Sequence, residues 1–407
     1  MNTFSKLRKL NLERFLFYFI VFMFPINLGY HFLLVSSYVG GILIDYLVPT
    51  IFVNDIMVAF FIIIYRKKIK KTELYKQKYF IWFLSVVFFS ALISSYKIVG
   101  FFYLIRLIFY FLFMMYIKSN ISFQNEKNKV FLVLFISVFL LCILSIFQWL
   151  KQGSVFDNYL FFGEQPYNFA TRGINVENFF GISKIPPYAT FRHPNILGGI
   201  LSIVLIWLAT MLKKDKLFYK LCFILVFAIL FLSLSFFSWI SAFFGLLLLI
   251  FNKNFIIKNS IILAVFIFWT CSFFLPYIEG LSFLDSKPSF YRRRDLISSS
   301  YEIIKNNFWF GVGPQASTAY VDRYLPPSKE FRISQPPHNV FMMVFVETGM
   351  FGFLLFILFF LSSLIKAKTN NLLLISLLQI MFLGSVDHYF LSIHQPLLFL
   401  FFIFGFI

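Results

Sequence analysis

Residues 335–352 read QPPHNVFMMVFVETGMFG: a polar turn ending in His338 and Asn339 runs straight into an apolar segment that carries one acid, Glu347. Asn339 is a residue type that caps helices, and capping would fix the position of the neighbouring imidazole. The apolar run continues to about residue 364, long enough to cross the hydrocarbon of a bilayer. On a helix rising 1.5 Å per residue, Glu347 would lie about 13 Å from His338, too far to be its direct partner. An acid inside a membrane span must face protein or water, so Glu347 reads as a support that pairs with a base, with the mid-span Arg106 as the obvious candidate.

The rest of the chain has the same character. Of its 407 residues, 60% are hydrophobic and 13% charged, and the mean hydropathy is +0.83. These values exclude a string of soluble domains and predict an all-α, polytopic membrane protein forming one integral domain over residues 1–407. Apolar runs place about twelve transmembrane helices at 14–34, 48–65, 79–95, 98–117, 130–149, 195–212, 217–235, 238–251, 256–278, 340–364, 371–389 and 395–407. The basic start, MNTFSKLRKLNLER, precedes a long apolar run without a small-residue cleavage site and reads as a retained first span. Cys142, Cys222 and Cys271 lie in apolar runs without metal-type spacing, so they read as buried thiols and indicate neither a disulfide framework nor a zinc site; no cofactor is expected.

Positive charge orients the spans. With the N-terminus cytoplasmic, the inside segments collect 22 of the 36 Lys and Arg residues, whereas the short outside connections hold only Lys97. Both termini are then cytoplasmic. The inside segments contain four acids, Glu13, Glu73, Glu126 and Asp215, so they carry +18 of the formal net charge of +19. The basic balance is therefore membrane topology, and no nucleic-acid partner is expected.

The same rule puts two long loops, 150–194 and 279–339, on the outer side, where long loops on a rigid scaffold usually carry function. Both are rich in aromatic, amide, glycine and proline residues. Within the second, Leu296, Ile297, Tyr301, Ile304 and Phe308 recur at helical spacing and predict a helix lying along the membrane surface, ended by Gly311 and Gly313. Arg292, Arg293 and Arg294 stand at its start, where guanidinium forks and helix N–H groups together would suit a diphosphate; binding lipid headgroups is the plainer reading. All five histidines fall in outer loops or at outer span ends. His338 is the candidate base, since a neutral imidazole can take a proton from a hydroxyl; a solvated residue in a capping turn is the alternative.

HNVFMMVFVETGMFG fits the H-[N/S/Q]-x9-G-x-x-[G/T/Y] pattern of bacterial O-antigen ligases and the related O-antigen and exopolysaccharide polymerases, with His338, Asn339, Gly349 and Gly352 in register. RRRDLISSSYEIIKNNFWFGVG is similar to the arginine, amphipathic helix and G-x-G that precede that histidine. FRHPNILGG, at 191–199, resembles the entry to the span after the first outer loop, and DHYFLSIHQ, at 387–395, a late-span motif. The resemblance implies a GT-C-type integral-membrane glycosyltransferase of the bacterial cytoplasmic membrane. Its donor would be a polyprenyl-diphosphate-linked glycan, its acceptor a lipid or another glycan, and its active site extracytoplasmic. By that likeness His338 assists the acceptor hydroxyl, with inversion and without a metal, and arginines cradle the donor diphosphate. Arg293 fits best by its spacing to Gly311; Arg292, Arg294 and Asn339 are further substrate-binding candidates. Glu347, Arg106, Asp387, Gly311 and Gly313 would be supporting residues. Phe236 stands where many members have an arginine, a role that Arg192 or Arg172 would have to fill. A repeat-unit polymerase and a lipid-linked glycan flippase remain alternative functions to a ligase.

Overall fold

A long apolar segment in lipid leaves its backbone polar groups only one another as partners, so it folds as a helix. The computed structural model describes residues 2–251, 253–274, 288–321, 323–324 and 335–407, and it is 70% helix and 4% strand. Its principal helices are α1 (Asn2–Met23), α2 (Val53–Tyr65), α3 (Lys78–Ile93), α4 (Lys97–Asn120), α5 (Phe123–Lys151), α6 (Pro194–Met211) and α7 (Leu217–Leu232). They continue as α8 (Phe236–Ile250), α9 (Phe255–Phe273), α10 (Pro288–Asn306), α11 (Val340–Ala367), α12 (Asn371–Gly384) and α13 (His394–Gly405). Each apolar segment read from the sequence overlaps one of these helices. Among the described residues, five helices are long and apolar enough to cross a membrane and five more are shorter apolar helices, as expected of a membrane protein. Residues 275–278 of the ninth apolar segment and 279–287, 322 and 325–334 of the second long loop lie outside the described residues.

α6 is the central post. Of its most apolar stretch 78% is buried, against 11% for α9, which leaves most of α9 facing outward. Polar side chains fasten α6 to its neighbours: Trp207 Nε1 donates to Ser376 Oγ of α12 at 2.7 Å, and Gln379 Nε2 bridges the carbonyls of Ser202 and Ser241, each at 3.1 Å. In a low-dielectric bundle such bonds specify which helix faces meet. α11 spans about 42 Å at 1.5 Å per residue, so His338, just before it, and Lys366, in its last turn, mark opposite ends of the bundle. Lys118, in the last turn of α4, interacts electrostatically with Lys366 and Lys76 at that second, lysine-rich end.

Several expectations are corrected. The first span, read as 14–34, ends as a helix at Met23, and residues 24–52 form a further connection with short strands; Gly29–His31 pairs antiparallel with Thr50–Phe52. Two more strand pairs, Tyr38–Val39 with Ile42–Leu43 and Glu177–Phe179 with Ile182–Lys184, make the connections less purely helical than expected. The eleventh segment, read to 389, leaves its helix at Gly384. Cys142 and Cys222 are buried, whereas Cys271 is exposed. α10 begins at Pro288, four residues before Arg292, so the arginines occupy its second turn and not the N-terminal turn whose amides are free. Its apolar face is covered by protein: Leu296, Ile297 and Ile304 pack with Val312, Met342 and Val346.

The partner expected for Glu347 is also different. Arg106 forms a fork on Asp55, with Nε–Oδ1 at 3.0 Å and Nη2–Oδ2 at 2.9 Å, and its Nη2 also donates to the Thr50 carbonyl. Both side chains are less than one-fifth exposed, and Tyr110 donates to the same carboxylate at 2.6 Å. Removing one member of such a pair strands the other charge. Asp55→Ala or Arg106→Ala is therefore expected to destabilise the protein by about 3–5 kcal/mol, seen as a lowered unfolding temperature in detergent. Retention of the wild-type midpoint in both variants would show the pair to be dispensable.

Glu347 supports the G-x-G segment instead. α11 is broken at Gly349, whose φ of 67° and ψ of −170° lie outside the helical region. The break removes the intrahelical partners of the Val346 and Glu347 carbonyls, which accept instead from Val312 N and Gly313 N, both at 3.0 Å. Ser90 Oγ also donates to the Glu347 carbonyl at 2.6 Å, and Met350 N donates to Phe308 O at 2.8 Å. The Glu347 side chain then accepts from Ser317 Oγ at 2.8 Å, tying down the turn after Gly313. Two non-helical segments thus satisfy each other's backbone, as the interior of a membrane protein requires.

Candidate functional site

Three short sequence elements meet at the His338 end of the bundle. At the first, Asn339 is wholly buried; its Oδ1 accepts from Phe341 N at 2.9 Å and Met342 N at 3.1 Å, capping α11. Its Nδ2 donates to Ser272 Oγ at 2.8 Å and to the Ser385 carbonyl at 3.3 Å. An asparagine amide has about four hydrogen-bonding places, and all are taken, so Asn339 is a cap and offers nothing to a substrate. That cap delivers His338 to the surface with its side chain 16% exposed.

The second element is HPN. His193 caps α6, its Nδ1 accepting from Asn195 N at 3.1 Å, and Pro194 occupies the first helical position, where no donor is lost. Asn195 Nδ2 reaches Asp387 Oδ2 at 3.4 Å, joining residues 192 apart in sequence. Gly199 permits the close approach of the third element: a Cβ there would lie 2.0 Å from the hydroxyl of Tyr389.

The third element, DHY, follows α12. Asp387 Oδ1 lies 3.4 Å from His338 Nδ1, an ion-pair distance without good hydrogen-bond alignment, and accepts from His388 N at 2.8 Å. The rings of His338 and His388 stand 5.1 Å apart, and His388 Nδ1 meets Ser392 Oγ at 2.6 Å. Arg293 comes in from α10: its Nε donates to the Val386 carbonyl at 3.2 Å, and its guanidinium lies over the Phe237 ring at 5.4 Å. Phe237 directly follows the position at which the resembled family carries an arginine.

Electrostatics bind these groups into one unit. Burial opposes ionisation of Asp387, but the hydrogen-bonding contact and charge of His338, with the charges of His388 and Arg293, outweigh it and hold the carboxyl well below the usual carboxylate range. Burial pushes His388 down to about 3 and His193 to about 4; the nearby Asp387 opposes both shifts, whereas His338 and Arg293 reinforce them. Burial likewise lowers Arg293, against the pull of Asp387.

The sign of the pH effect follows. An unfolded histidine takes up a proton near its ordinary value of 6.5, whereas these two stay neutral in the fold down to about 4 and 3. Between those values the unfolded chain binds more protons, so stability falls as pH falls. Asp387 contributes fully above its unfolded value of 3.8 and is lost only below it, outside this window. The unfolding temperature is expected to drop between pH 7 and pH 5, with a shallower drop in His388→Gln; a flat profile in the wild type would contradict the neutral assignment.

The other expected site residues are placed as follows. Arg292 is exposed and Arg294 partly buried, on either side of Arg293 along α10. Arg192 borders a separate cleft behind His388, together with Arg106 and Gln315. Arg172 is exposed in the loop between α5 and α6. His338, Asp387 and His388 each present one potential metal ligand within 4.8 Å of the others. Their separations of 3.4 and 3.9 Å, with Arg293 beside them, describe a charge-neutralised histidine–carboxylate cluster.

Residues 221–357 match a family model described as O-antigen ligase. No curated protein matches the chain. The matched segment contains Arg293, the G-x-G segment, His338 and Gly349, but neither the HPN nor the DHY element.

Proposed function

We propose that the chain, whose residues 221–357 match the O-antigen ligase family model, is a membrane enzyme of the ligase and polymerase type that transfers a glycan from a polyprenyl-diphosphate carrier to an acceptor hydroxyl at the outer face of the cytoplasmic membrane. The observation that carries this reading is the meeting of His338, Asp387 and Arg293. The positive-inside count, with lysines at the opposite end of α4 and α11, supports an extracytoplasmic site.

The chemistry needs little. The acceptor oxygen attacks the anomeric carbon while the bond from that carbon to the diphosphate oxygen breaks, with inversion. The leaving diphosphate keeps the electron pair, and a cation beside it stabilises the departing charge. Arg293 supplies that cation; Phe237 covers one face of its guanidinium, and Arg292 and Arg294 add charge alongside. The carboxylate of Asp387 favours a proton on His338 Nδ1, which leaves Nε2 as the basic nitrogen for the acceptor's proton. Gln335 Oε1 lies 3.1 Å from Nε2, so that amide has to turn its nitrogen toward the ring or move aside when Nε2 acts as the base.

A broken helix such as α11 also occurs in transporters, where unwound carbonyls bind ions. Here the freed carbonyls are already occupied by Val312, Gly313 and Ser90, which favours a structural role for the break and disfavours the flippase reading. Ligase and repeat-unit polymerase are separated by product. Purified protein given a polyprenyl-diphosphate oligosaccharide and a lipid acceptor is expected to add a single block; a ladder of repeats would assign the polymerase. Arg293→Ala is expected to slow either transfer by at least about a hundredfold, with partial recovery in Arg293→Lys. Unchanged rates in Arg293→Ala would remove Arg293 from the donor site.

A further inference from the structure

Behind His388 lies a cleft with about 40 Å³ of open volume, lined among others by Tyr46, Arg106, Arg192, Gln315, Ser392 and His394. It adjoins the His338 cluster through one ring: Tyr46 packs edge-on against His388 at 5.5 Å, and Ser392 holds its Nδ1. Its polar lining is unusually unsatisfied. Arg192 Nε, Gln315 Nε2 and His394 Nδ1 are all buried without a hydrogen-bond partner among the described residues, and Gln315 and His394 are only 8% and 2% exposed. Buried polar atoms are normally paired, and three residues of this one lining each keep such an atom unpaired, which an occupant could engage after a small side-chain shift.

The chemistry of that occupant follows from the donors. The charge of Arg106 is neutralised by Asp55, whereas Arg192, the other cation of the lining, forms no ion pair among the described residues. Asp45, on the rim, is exposed, so its charge is screened by solvent. Arg192 and the Gln315 amide are donors. His394 Nε2 lies 3.2 Å from the Ile26 carbonyl, so the neutral ring carries its proton there and leaves Nδ1 as an acceptor. Two donors, one cationic, beside one acceptor suit an oxyanion with a neighbouring hydroxyl. The open volume holds roughly three waters, enough for one such group.

We propose that this cleft is a specificity subsite that binds a single oxyanion, a carboxylate or monophosphate, carried by a sugar of the glycan or acceptor engaged at His338. Assigning the oxyanion to a glycan rests on the transferase reading above, whereas its binding does not. An acidic group held by Arg192 and Gln315 places the rest of its sugar ring beside His388 and the base beyond it. The subsite makes the enzyme selective for acidic over neutral sugars.

Binding to the purified full-length protein in detergent tests this, with glucuronate, inorganic phosphate, pyrophosphate and neutral methyl glucoside as titrants. Saturable binding of glucuronate or phosphate is expected, weakened at least about tenfold in Arg192→Met and several-fold in Gln315→Leu. Whichever of the two binds tighter identifies the oxyanion. Arg192→Lys should retain part of the affinity, and with Gln315→Leu it carries the test if Arg192→Met does not fold. Absence of saturable anion binding would mean a water-filled cleft and overturn the proposal; so would equal affinity in the Arg192 and Gln315 variants, equal binding of methyl glucoside, or tightest binding of pyrophosphate. Arg192-dependent binding in a protein that transfers no glycan would sink the transferase reading and leave the subsite standing.

Discussion

Alanine in place of His338 is expected to slow glycan transfer by about 10²–10⁴-fold while the protein stays folded, because a positioned base contributes that much to a reaction whose leaving group is already good. The fold should survive because Asn339, and not His338, caps α11. The imidazole's own contacts are the long approach to Asp387 and one bond to Gln335. A matching unfolding temperature together with lost transfer separates chemistry from stability. Asp387→Asn should act through His338: the ring loses the carboxylate that sets its tautomer, so kcat falls more than KM rises and the pH–rate profile shifts. Loss of stability without a shifted pH profile would make Asp387 a structural residue alone.

The second large effect is expected at Gly349. A Cβ there would lie 2.3 Å from the backbone carbon of Trp309, and the residue's φ of 67° with ψ of −170° is one that side-chain-bearing residues avoid. The neighbour is main chain and cannot rotate away. Gly311 is the mirror of the same contact, its missing Cβ 2.4 Å from the backbone carbon of Glu347. Gly349→Ala is expected to cost several kcal/mol, on the order of 3 or more, and to abolish recovery of folded protein in membranes. Gly173, whose added Cβ would meet nothing within 4 Å, shares the positive φ and serves as the comparison: Gly173→Ala should cost only about 1 kcal/mol. Equal yields of the two variants would contradict the backbone-on-backbone account of the α11 break.

These residues also show what one sequence reveals. The apolar runs located the helices because length and hydropathy are local properties. The same signal failed at residues 24–34, where aromatic and aliphatic residues of a strand-bearing connection read as membrane span; Pro25 and Gly29 were the local sign of its end. His338 and Arg293 were legible from their motif and charge. The centrality of Asp387, and any role for Asn195 or His388, was not, because it arises from contacts between residues as many as 192 positions apart. The Arg106–Asp55 pair was misassigned to Glu347 for a related reason: an intramembrane charge announces that it needs a partner, not which one. Gly311 and Gly349 stood out as motif residues, yet only the structure shows that each makes room for the backbone just before the other, Gly349 for Trp309–Phe310 and Gly311 for Glu347–Thr348.

The central claim is that this cluster makes a glycosidic bond at the expense of a carrier diphosphate. Its most direct measurement is stoichiometry: purified protein in lipid, supplied with a polyprenyl-diphosphate glycan and an acceptor, assayed at once for free polyprenyl diphosphate and for new glycosidic bonds. One carrier released per bond formed, with both signals lost together in His338→Ala, is the predicted result. Movement of the intact carrier across the bilayer with neither product, or bond formation unaffected by His338→Ala, would contradict it.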